Sequence, residues 1–134
     1  MNHEIKLWHV KADNDLKVGT HEVEHDDPTI DIICFHAQQA AEKYLKSYLL
    51  SQGVTPDKTH NLDVLIRKCL ACDPSFIALR EKDVSALTIY AVEGRYPDEC
   101  YSPSLEEAKD ALGKALFVKQ FVLERLAAAG YNDK

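Results

Sequence analysis

The residues best suited to chemistry lie together in the stretch 90–101, Tyr-Ala-Val-Glu-Gly-Arg-Tyr-Pro-Asp-Glu-Cys-Tyr. Arg95 provides a planar fork of N–H donors that matches the oxygens of a phosphate group. Cys100 provides a thiol, but its ordinary pKa of about 8.5 makes it a poorer acid–base group than histidine near neutral pH. Tyr96 and Tyr101 add phenols to the same stretch. We interpret 90–101 as the end of one helix and the mouth of a candidate site.

Each of these residues also has a purely structural explanation. An arginine just past a helix C-terminus, such as Arg95, is stabilised by the helix dipole alone. Tyr96 can pack beneath the turn that Pro97 makes, and free cysteines such as Cys100 are commonly core residues. His60, at the start of a predicted helix, is a second candidate for binding a nucleotide or its phosphate. Its structural alternative is local capping or packing.

The cysteines and the other loop histidines do not form a recognisable metal motif. Cys69 and Cys72 have CxxC spacing, but a structural zinc site needs a second pair or two histidines at suitable spacing, and neither is nearby. The pair closes an apolar helical pattern instead of a strand-to-helix turn, which disfavours thioredoxin-like redox chemistry. His21 and His25 lie in a connection without an organised third ligand. We predict free structural thiols, no metal and no cofactor.

Helical spacing of apolar residues sets out the elements that must position these groups. A first helix is predicted over 4–19, with Trp8 as a core anchor and Gly19 as its end. The strongest pattern predicts a second helix over 29–52, followed by Gly53 in the position after the cap. Five polar residues of this helix fall outside its apolar stripe: Gln38, Gln39, Glu42, Lys43 and Lys46.

The second half of the chain contains the helices that flank the candidate site. A third helix is predicted to begin near Thr59 or Asn61, and a short helical turn follows over 75–80. A fourth helix is predicted over 81–93, and Ser102 is expected to cap the last helix. With connections of this length, the pattern predicts an all-α up-and-down four-helix bundle with a short fifth helix. We predict a single domain over residues 1–134, with a core over about 4–128.

Composition limits the function classes. Apolar residues make up 46% and charged residues 28% of the chain, a typical globular balance. The formal net charge of −6 argues against a general nucleic-acid-binding surface, so any nucleic-acid contact must be local. No stretch is long and apolar enough to span a membrane, and the N-terminus lacks the features of a signal peptide. We expect a cytoplasmic protein without a membrane contact.

With its helices in place, the chain resembles the HEPN family (higher eukaryotes and prokaryotes nucleotide-binding domain). The resemblance extends over roughly residues 8–126 and depends on short motifs in the first three helices and after the fourth. These are Trp8, Ala12 and Asp15-Leu16; the run 34–46, Cys-Phe-His-Ala-Gln-Gln-Ala-Ala-Glu-Lys-Tyr-Leu-Lys; His60-Asn61-Leu62; and Arg95-Tyr96-Pro97.

The resemblance implies a helical bundle that commonly forms homodimers and, in many prokaryotic members, acts with a minimal nucleotidyltransferase as toxin and antitoxin. Active members of the family are metal-independent ribonucleases with an arginine followed, after four to six residues, by a histidine. Arg95 matches the arginine, and Cys100 occupies the histidine position. In some pairs the nucleotidyltransferase adds AMP to a tyrosine near this motif, which makes Tyr101 or Tyr96 the candidate here.

Three hypotheses follow. The first is a homodimeric HEPN protein that partners a minimal nucleotidyltransferase and contacts nucleotide or RNA through Arg95. The second is a metal-independent endoribonuclease with a degenerate motif, using Arg95 with Cys100 or His60. The third is a structural dimerisation bundle without a ligand. Because Phe117 and Phe121 lie off the main apolar stripe of the last helix, we expect the dimer interface to include the region of the last two helices.

Overall fold

The computed structural model describes residues 2–91 and 102–131 of the 134-residue chain. The helices of this part are α1 (His3–Val23), α2 (Ile30–Ser51), α3 (Leu62–Cys72), α4 (Ile77–Glu81) and α5 (Leu105–Ala128). Two 3-10 helices, Pro74–Phe76 and Val84–Tyr90, precede and follow α4. The described residues contain no strand. The prediction of an all-α bundle of four long helices with a short additional one is confirmed.

Helix α2 is the centre of the bundle. It packs against α1, α5, α3 and the 3-10 helix Val84–Tyr90. Its largest fully buried side chains include Tyr44, Leu45 and Leu49. Together with buried side chains of the other helices they form one continuous core. Because α2 has neighbours on several sides, side chains outside its apolar stripe can also be covered.

Two glycines that the sequence assigns to helix ends behave differently. Gly53 follows the C-cap of α2 with φ of 73°, which confirms the predicted helix end. Gly19 was predicted to end the first helix, but α1 continues to Val23 and Gly19 is buried inside it. A Cβ atom at Gly19 would lie 2.7 Å from Cδ2 of Leu112 on α5. Gly19 therefore permits close packing of α1 and α5 instead of ending a helix.

The predicted α-helix over 81–93 is wrong for the part that the structure describes. Helix α4 ends at Glu81, and Asp83 adopts a left-handed conformation with φ of 55°. The chain then forms the 3-10 helix Val84–Tyr90. A left-handed residue interrupts an α-helix, so the apolar spacing of this segment is realised in a tighter and shorter element. The short helical turn predicted over 75–80 is confirmed by Pro74–Phe76 and α4.

Helix α5 begins slightly later than predicted. Its N-cap is Ser104, not Ser102, and Ser104 Oγ accepts a hydrogen bond from the backbone N–H of Glu107 at 3.1 Å. A serine followed three residues later by a glutamate is the sequence pattern of a capping box. Ser104 thus fixes the first turn of the helix that follows the candidate stretch.

Candidate functional site

Most of the predicted site lies outside the described residues. Arg95, Tyr96, Cys100 and Tyr101 fall in the segment 92–101, and their roles stay predictions. His60 is described and immediately precedes Asn61, the N-cap of α3. Its side chain is 63% exposed. The site can therefore be built from His60 and from the groups that hold the two ends of the segment 92–101.

A line of buried polar side chains runs along α2 towards these groups. It consists of Cys34, Gln38, Glu42 and Lys46, which occupy every fourth position and therefore lie on one face of the helix. All four are buried. We call this line the α2 polar ridge. Burial of a glutamate and a lysine is costly unless each is paired, so the partners of the ridge define its chemistry.

The centre of the ridge is a carboxylate that accepts three hydrogen bonds. Glu42 accepts from Lys46 Nζ at 2.8 Å, from His60 Nδ1 at 2.9 Å and from Gln38 Nε2 at 3.1 Å. Gln38 Nε2 also donates to the backbone carbonyl of His60 at 3.0 Å. Gln39 Nε2 donates in turn to Gln38 Oε1 at 2.6 Å. The start of α3 is thus held against α2 by a connected polar network.

The charge on Glu42 determines which nitrogen of His60 carries a proton. Burial alone would raise the pKa of Glu42, but the hydrogen bonds from Lys46, His60 and Gln38, with the charge of Lys46, lower it below its usual value. Glu42 is therefore ionised at neutral pH and can only accept, so His60 Nδ1 is the donor. In the neutral imidazole the lone pair then lies on Nε2. A carboxylate-oriented imidazole with an exposed side chain is suited to proton transfer or to hydrogen bonding of a ligand.

Lys46 completes the ridge at its other end. Its ammonium group lies 5.9 Å from the centroid of the Trp8 ring, in a cation–π contact. Trp8 itself is only half-buried, so the prediction that it anchors the core is wrong. Instead of filling the core, Trp8 contacts the ammonium group of Lys46, which is thus stabilised both by Glu42 and by the Trp8 ring.

The opposite end of the ridge reaches the residues that flank 92–101. Burial, with the nearby carboxylates of Glu107 and Asp31, raises the pKa of the Cys34 thiol to about 12, and a hydrogen bond with Tyr90 opposes this rise. The Tyr90 hydroxyl donates to the carboxylate of Glu107 in the first turn of α5. Tyr90 precedes the segment 92–101 and Glu107 follows it. Their hydrogen bond therefore joins the two sides of this segment beside Cys34.

A further hydrogen bond connects His60 to the same region. The backbone N–H of Leu62 donates to Thr88 Oγ1 at 3.0 Å. Leu62 is the first residue of α3, two positions after His60, and Thr88 belongs to the 3-10 helix that leads to the candidate segment. This bond fixes the start of α3 against the element that precedes Arg95 in the chain.

A second carboxylate, Asp15 of α1, is arranged in the same way as Glu42. Its two oxygens contact His36 Nδ1 at 2.7 Å and Lys43 Nζ at 2.6 Å. Asp15 is buried, and His36 and Lys43 are half-buried. Each carboxylate thus holds one histidine and one lysine. The Asp15 group ties α1 to α2, whereas the Glu42 group ties α2 to α3.

The structure provides no metal site among residues 2–91 and 102–131, where no three histidine, cysteine, aspartate or glutamate side chains group closely enough. Of the CxxC pair, Cys69 is buried and Cys72 is exposed. Burial raises the pKa of the Cys69 thiol well above its ordinary range, which makes it unreactive.

Sequence reasoning found His60 but missed the residues that orient it. Gln38, Glu42 and Lys46 were recognised as polar residues outside the apolar stripe of α2, and Glu42 and Lys46 also as a favourable i,i+4 pair. Their common spacing of four was the available signal, since it places them on one line. Their burial arises where α2 packs against other elements of the bundle, which periodicity within one helix does not reveal.

Comparison with known proteins agrees with this architecture. The sequence model of the HEPN domain matches residues 5–126. The crystal structure of TT1696 from Thermus thermophilus is 29% identical in sequence, with a TM-score of 0.73. The similarity covers 93% of this chain and 100% of that chain. A search of curated proteins returns no match.

The fold and the ridge define a helical bundle with a buried polar network that joins α2 to the start of α3. The HEPN match extends over nearly the whole described chain, and the protein belongs to the HEPN domain family. It is accordingly a helical domain of a nucleotide- or RNA-related family. No helix of the described residues has the length and apolar character needed to cross a membrane.

Proposed function

We propose that the protein is a nucleotide- or RNA-contacting HEPN domain that partners a minimal nucleotidyltransferase in a toxin–antitoxin-type pair. The observation that carries the proposal is the HEPN match over residues 5–126, in a chain that also contains Arg95-Tyr96-Pro97. In this proposal Arg95 binds a phosphate group, and His60 provides a second contact. The cytoplasm is the proposed location, and residues 1–134 are proposed to act as one domain.

The polar ridge supports the role of His60. His60 Nδ1 lies 2.9 Å from Glu42 Oε1, and this hydrogen bond fixes the tautomer with the proton on Nδ1. The ring therefore presents Nε2 to a ligand without reorganisation. The bond between Leu62 and Thr88 holds this part of α3 to the chain segment that leads to Arg95. An arginine and an oriented imidazole are complementary to a phosphodiester and its neighbouring hydroxyl group.

Binding can be tested by fluorescence anisotropy with a short labelled single-stranded RNA and with a labelled nucleotide. We expect Arg95→Ala to weaken binding about tenfold or more, because a charge-assisted contact to phosphate is lost. His60→Gln should weaken it less. Arg67→Ala is the matched control, since Arg67 is an exposed arginine on α3 that pairs with Asp63. Equal affinities for Arg95→Ala and Arg67→Ala would contradict the proposed role of Arg95.

The partnership requires a separate experiment. The product of a nucleotidyltransferase gene adjacent to this one should co-purify with the protein and transfer AMP from ATP to Tyr101 or Tyr96. Intact-mass and peptide spectrometry should show the added AMP, and Tyr101→Phe and Tyr96→Phe should identify the acceptor. An adjacent nucleotidyltransferase that neither binds nor modifies the protein would contradict the partnership.

A second candidate function is a metal-independent endoribonuclease, and the Glu42–His60 pair is the observation that favours it. With Nδ1 protonated towards Glu42, Nε2 is the nitrogen available to accept the proton of a ribose 2′-hydroxyl. Arg95 would stabilise the charge on the phosphate. Cleavage in the presence of EDTA that depends on Arg95 and His60, with Cys100→Ser retaining activity, would assign the imidazole as the acid–base group. No cleavage at any protein concentration would exclude the enzyme and leave the binding function.

We propose a homodimer in either case. Ile77, Ile89 and Leu116 are large apolar side chains that are nearly half exposed in the region of α4, the following 3-10 helix and α5. Phe117 and Phe121 are partly covered within the chain, because they stack on each other and Phe121 contacts Phe76. Light scattering should give the mass of a dimer at micromolar concentration, and Leu116→Lys should shift the protein towards a monomer. A monomeric parent protein would contradict this proposal.

A further inference from the structure

A cavity between α1 and α5 lies apart from the α2 polar ridge. Its volume is about 380 Å³, and its polar lining consists of Lys6, His9, Asp13, Tyr44 and Lys119. We call it the α1–α5 cavity. Its size is within the range of small-ligand pockets, roughly 300–1,000 Å³. The question is which ligand its charges and hydrogen-bonding groups would accept.

The charges favour an anion. Lys6 and Lys119 bring two positive charges to the cavity, and Asp13 brings one negative charge. Lys119 Nζ contacts Asp13 Oδ1 at 3.0 Å, whereas Lys6 is in no ion pair with any residue in 2–91 or 102–131. An ammonium group has three donors, so Lys119 can contact Asp13 and a ligand at the same time. The cavity is thus locally cationic in a protein whose net charge is −6.

The floor of the cavity is held in place by its own hydrogen bonds. The Tyr44 hydroxyl donates to Asp13 Oδ1, which joins the floor to the wall that carries Lys119. Ser47 Oγ donates to the carbonyl of Tyr44 at 2.7 Å, so it must accept from His9 Nε2, which lies 2.8 Å away. His9 is buried, and its ring contacts the ring of Tyr44 with centroids 5.2 Å apart. A fixed floor lowers the cost of ordering side chains when a ligand binds.

The remaining walls are apolar. Val10 and Leu123 complete the lining, on the α1 and α5 sides respectively. A compact anionic group between two lysines, attached to a small less polar body, fits this division of the cavity. Phosphate is the anion that lysine ammonium groups commonly bind as point charges.

We propose that the α1–α5 cavity binds a small phosphate-bearing molecule through Lys6 and Lys119. This site is independent of Arg95 and of the proposed function. The same chemistry serves free phosphate and the phosphate of a nucleoside monophosphate. The contribution of Asp13 is to position Lys119 and to limit the affinity, because its carboxylate repels the anion.

The test is a titration of the full chain followed by amide NMR and calorimetry, with inorganic phosphate, AMP and adenosine in parallel. Saturable shifts centred on Lys6, His9 and Lys119 are expected with phosphate and AMP but not with adenosine. Tighter binding of AMP than of phosphate would identify a nucleotide as the source, and equal binding would identify the phosphate group alone. Absence of saturable binding, or shifts that map elsewhere, would overturn the proposal.

Charge variants make the test directional. Lys6→Gln and Lys119→Gln should each weaken binding about fivefold or more, and Lys109→Gln, an exposed lysine on the same helix as Lys119, should not. Asp13→Asn should strengthen binding about threefold by removing the repulsive charge. Arg95→Ala should leave the shifts at Lys6 and Lys119 unchanged, which separates this cavity from nucleotide contact at Arg95. Thermal melting should first show that Lys6→Gln, Lys119→Gln and Asp13→Asn are folded. If these three variants bind phosphate and AMP with the affinity of the parent protein, the proposal is overturned.

Discussion

Replacing Glu42 tests the energetic importance of the polar ridge. In Glu42→Gln the side chain keeps its size and loses its charge, so Lys46 remains buried without its counterion. The exposed fractions of the two side chains are 5% for Glu42 and 9% for Lys46, which makes this a buried ion pair. Removing one partner of such a pair typically costs about 3–5 kcal/mol of unfolding free energy.

The surroundings of Lys46 place the expected loss near the lower end of this range. The Trp8 ring still faces the ammonium group at 5.9 Å, and the long side chain can move its charge towards water. We therefore expect Glu42→Gln to lower the unfolding free energy by about 3 kcal/mol. Urea unfolding followed by helical circular dichroism, at fixed protein concentration, measures this quantity. Glu124→Gln, at an exposed position on α5, is the matched control and should change it by less than about 0.5 kcal/mol.

A double variant separates loss of the pair from loss of the glutamate itself. Glu42→Leu with Lys46→Met replaces both charges by apolar groups of similar volume, which removes the unpaired ammonium. The double variant should be more stable than Glu42→Gln by at least about 1 kcal/mol. A loss below about 1 kcal/mol for Glu42→Gln, or a double variant no more stable than the single one, would refute the reasoning.

Three further predictions concern acid stability, two glycines and two thiols. The pKa of Glu42 is lowered in the folded state, so ionised Glu42 stabilises the fold above the unfolded pKa of about 4.3. This stabilisation is lost as pH falls through the folded-state pKa. Acid unfolding curves should therefore show a weaker pH dependence for Glu42→Gln than for the parent protein. Gly19→Ala should cost about 1–3 kcal/mol in thermal or urea unfolding, since its Cβ would lie 2.7 Å from a leucine methyl group on α5. Gly113→Ala, with open space around the new Cβ atom, should instead raise the unfolding free energy by about 0.5–1 kcal/mol. A change of the same sign for Gly19→Ala and Gly113→Ala would contradict this explanation. Alkylation with peptide mapping should label Cys72 quickly and Cys34 only slowly, because Cys34 is buried and its pKa is raised to about 12, and equal rates would contradict the buried position.

The helices that form the bundle could be predicted because their signals are local. Apolar spacing identified α2, and Gly53 marked its end because a positive φ of 73° favours glycine. Gly19 carries the same local signal but serves a different purpose. Its small size matters because Leu112, far along the chain on α5, packs against it. No property of the residues next to Gly19 distinguishes these two roles.

The candidate site was harder to predict because its side chains are held in place by contacts between different helices and loops. The spacing of Glu42 and Lys46 indicates an ion pair within one helix, and the pair is present. That the pair is buried, and that His60 donates to it, depends on how the α2–α3 connection folds back onto α2. Similarly, the left-handed Asp83 that interrupts the helix after Glu81 has no signal in the apolar spacing of this segment.

The central position of α2 has a consequence for amide hydrogen exchange. Opening α2 would expose both the apolar core and the α2 polar ridge, so its amides should exchange only through global unfolding. The 3-10 helix Val84–Tyr90 is short and has weaker hydrogen-bond geometry, so its amides should exchange through local opening. The element that leads to Arg95 would then lie at the low-stability end of the molecule, while His60 is attached to its most stable part. A ligand that contacts both Arg95 and His60 would then have an affinity coupled to the local stability of this 3-10 helix.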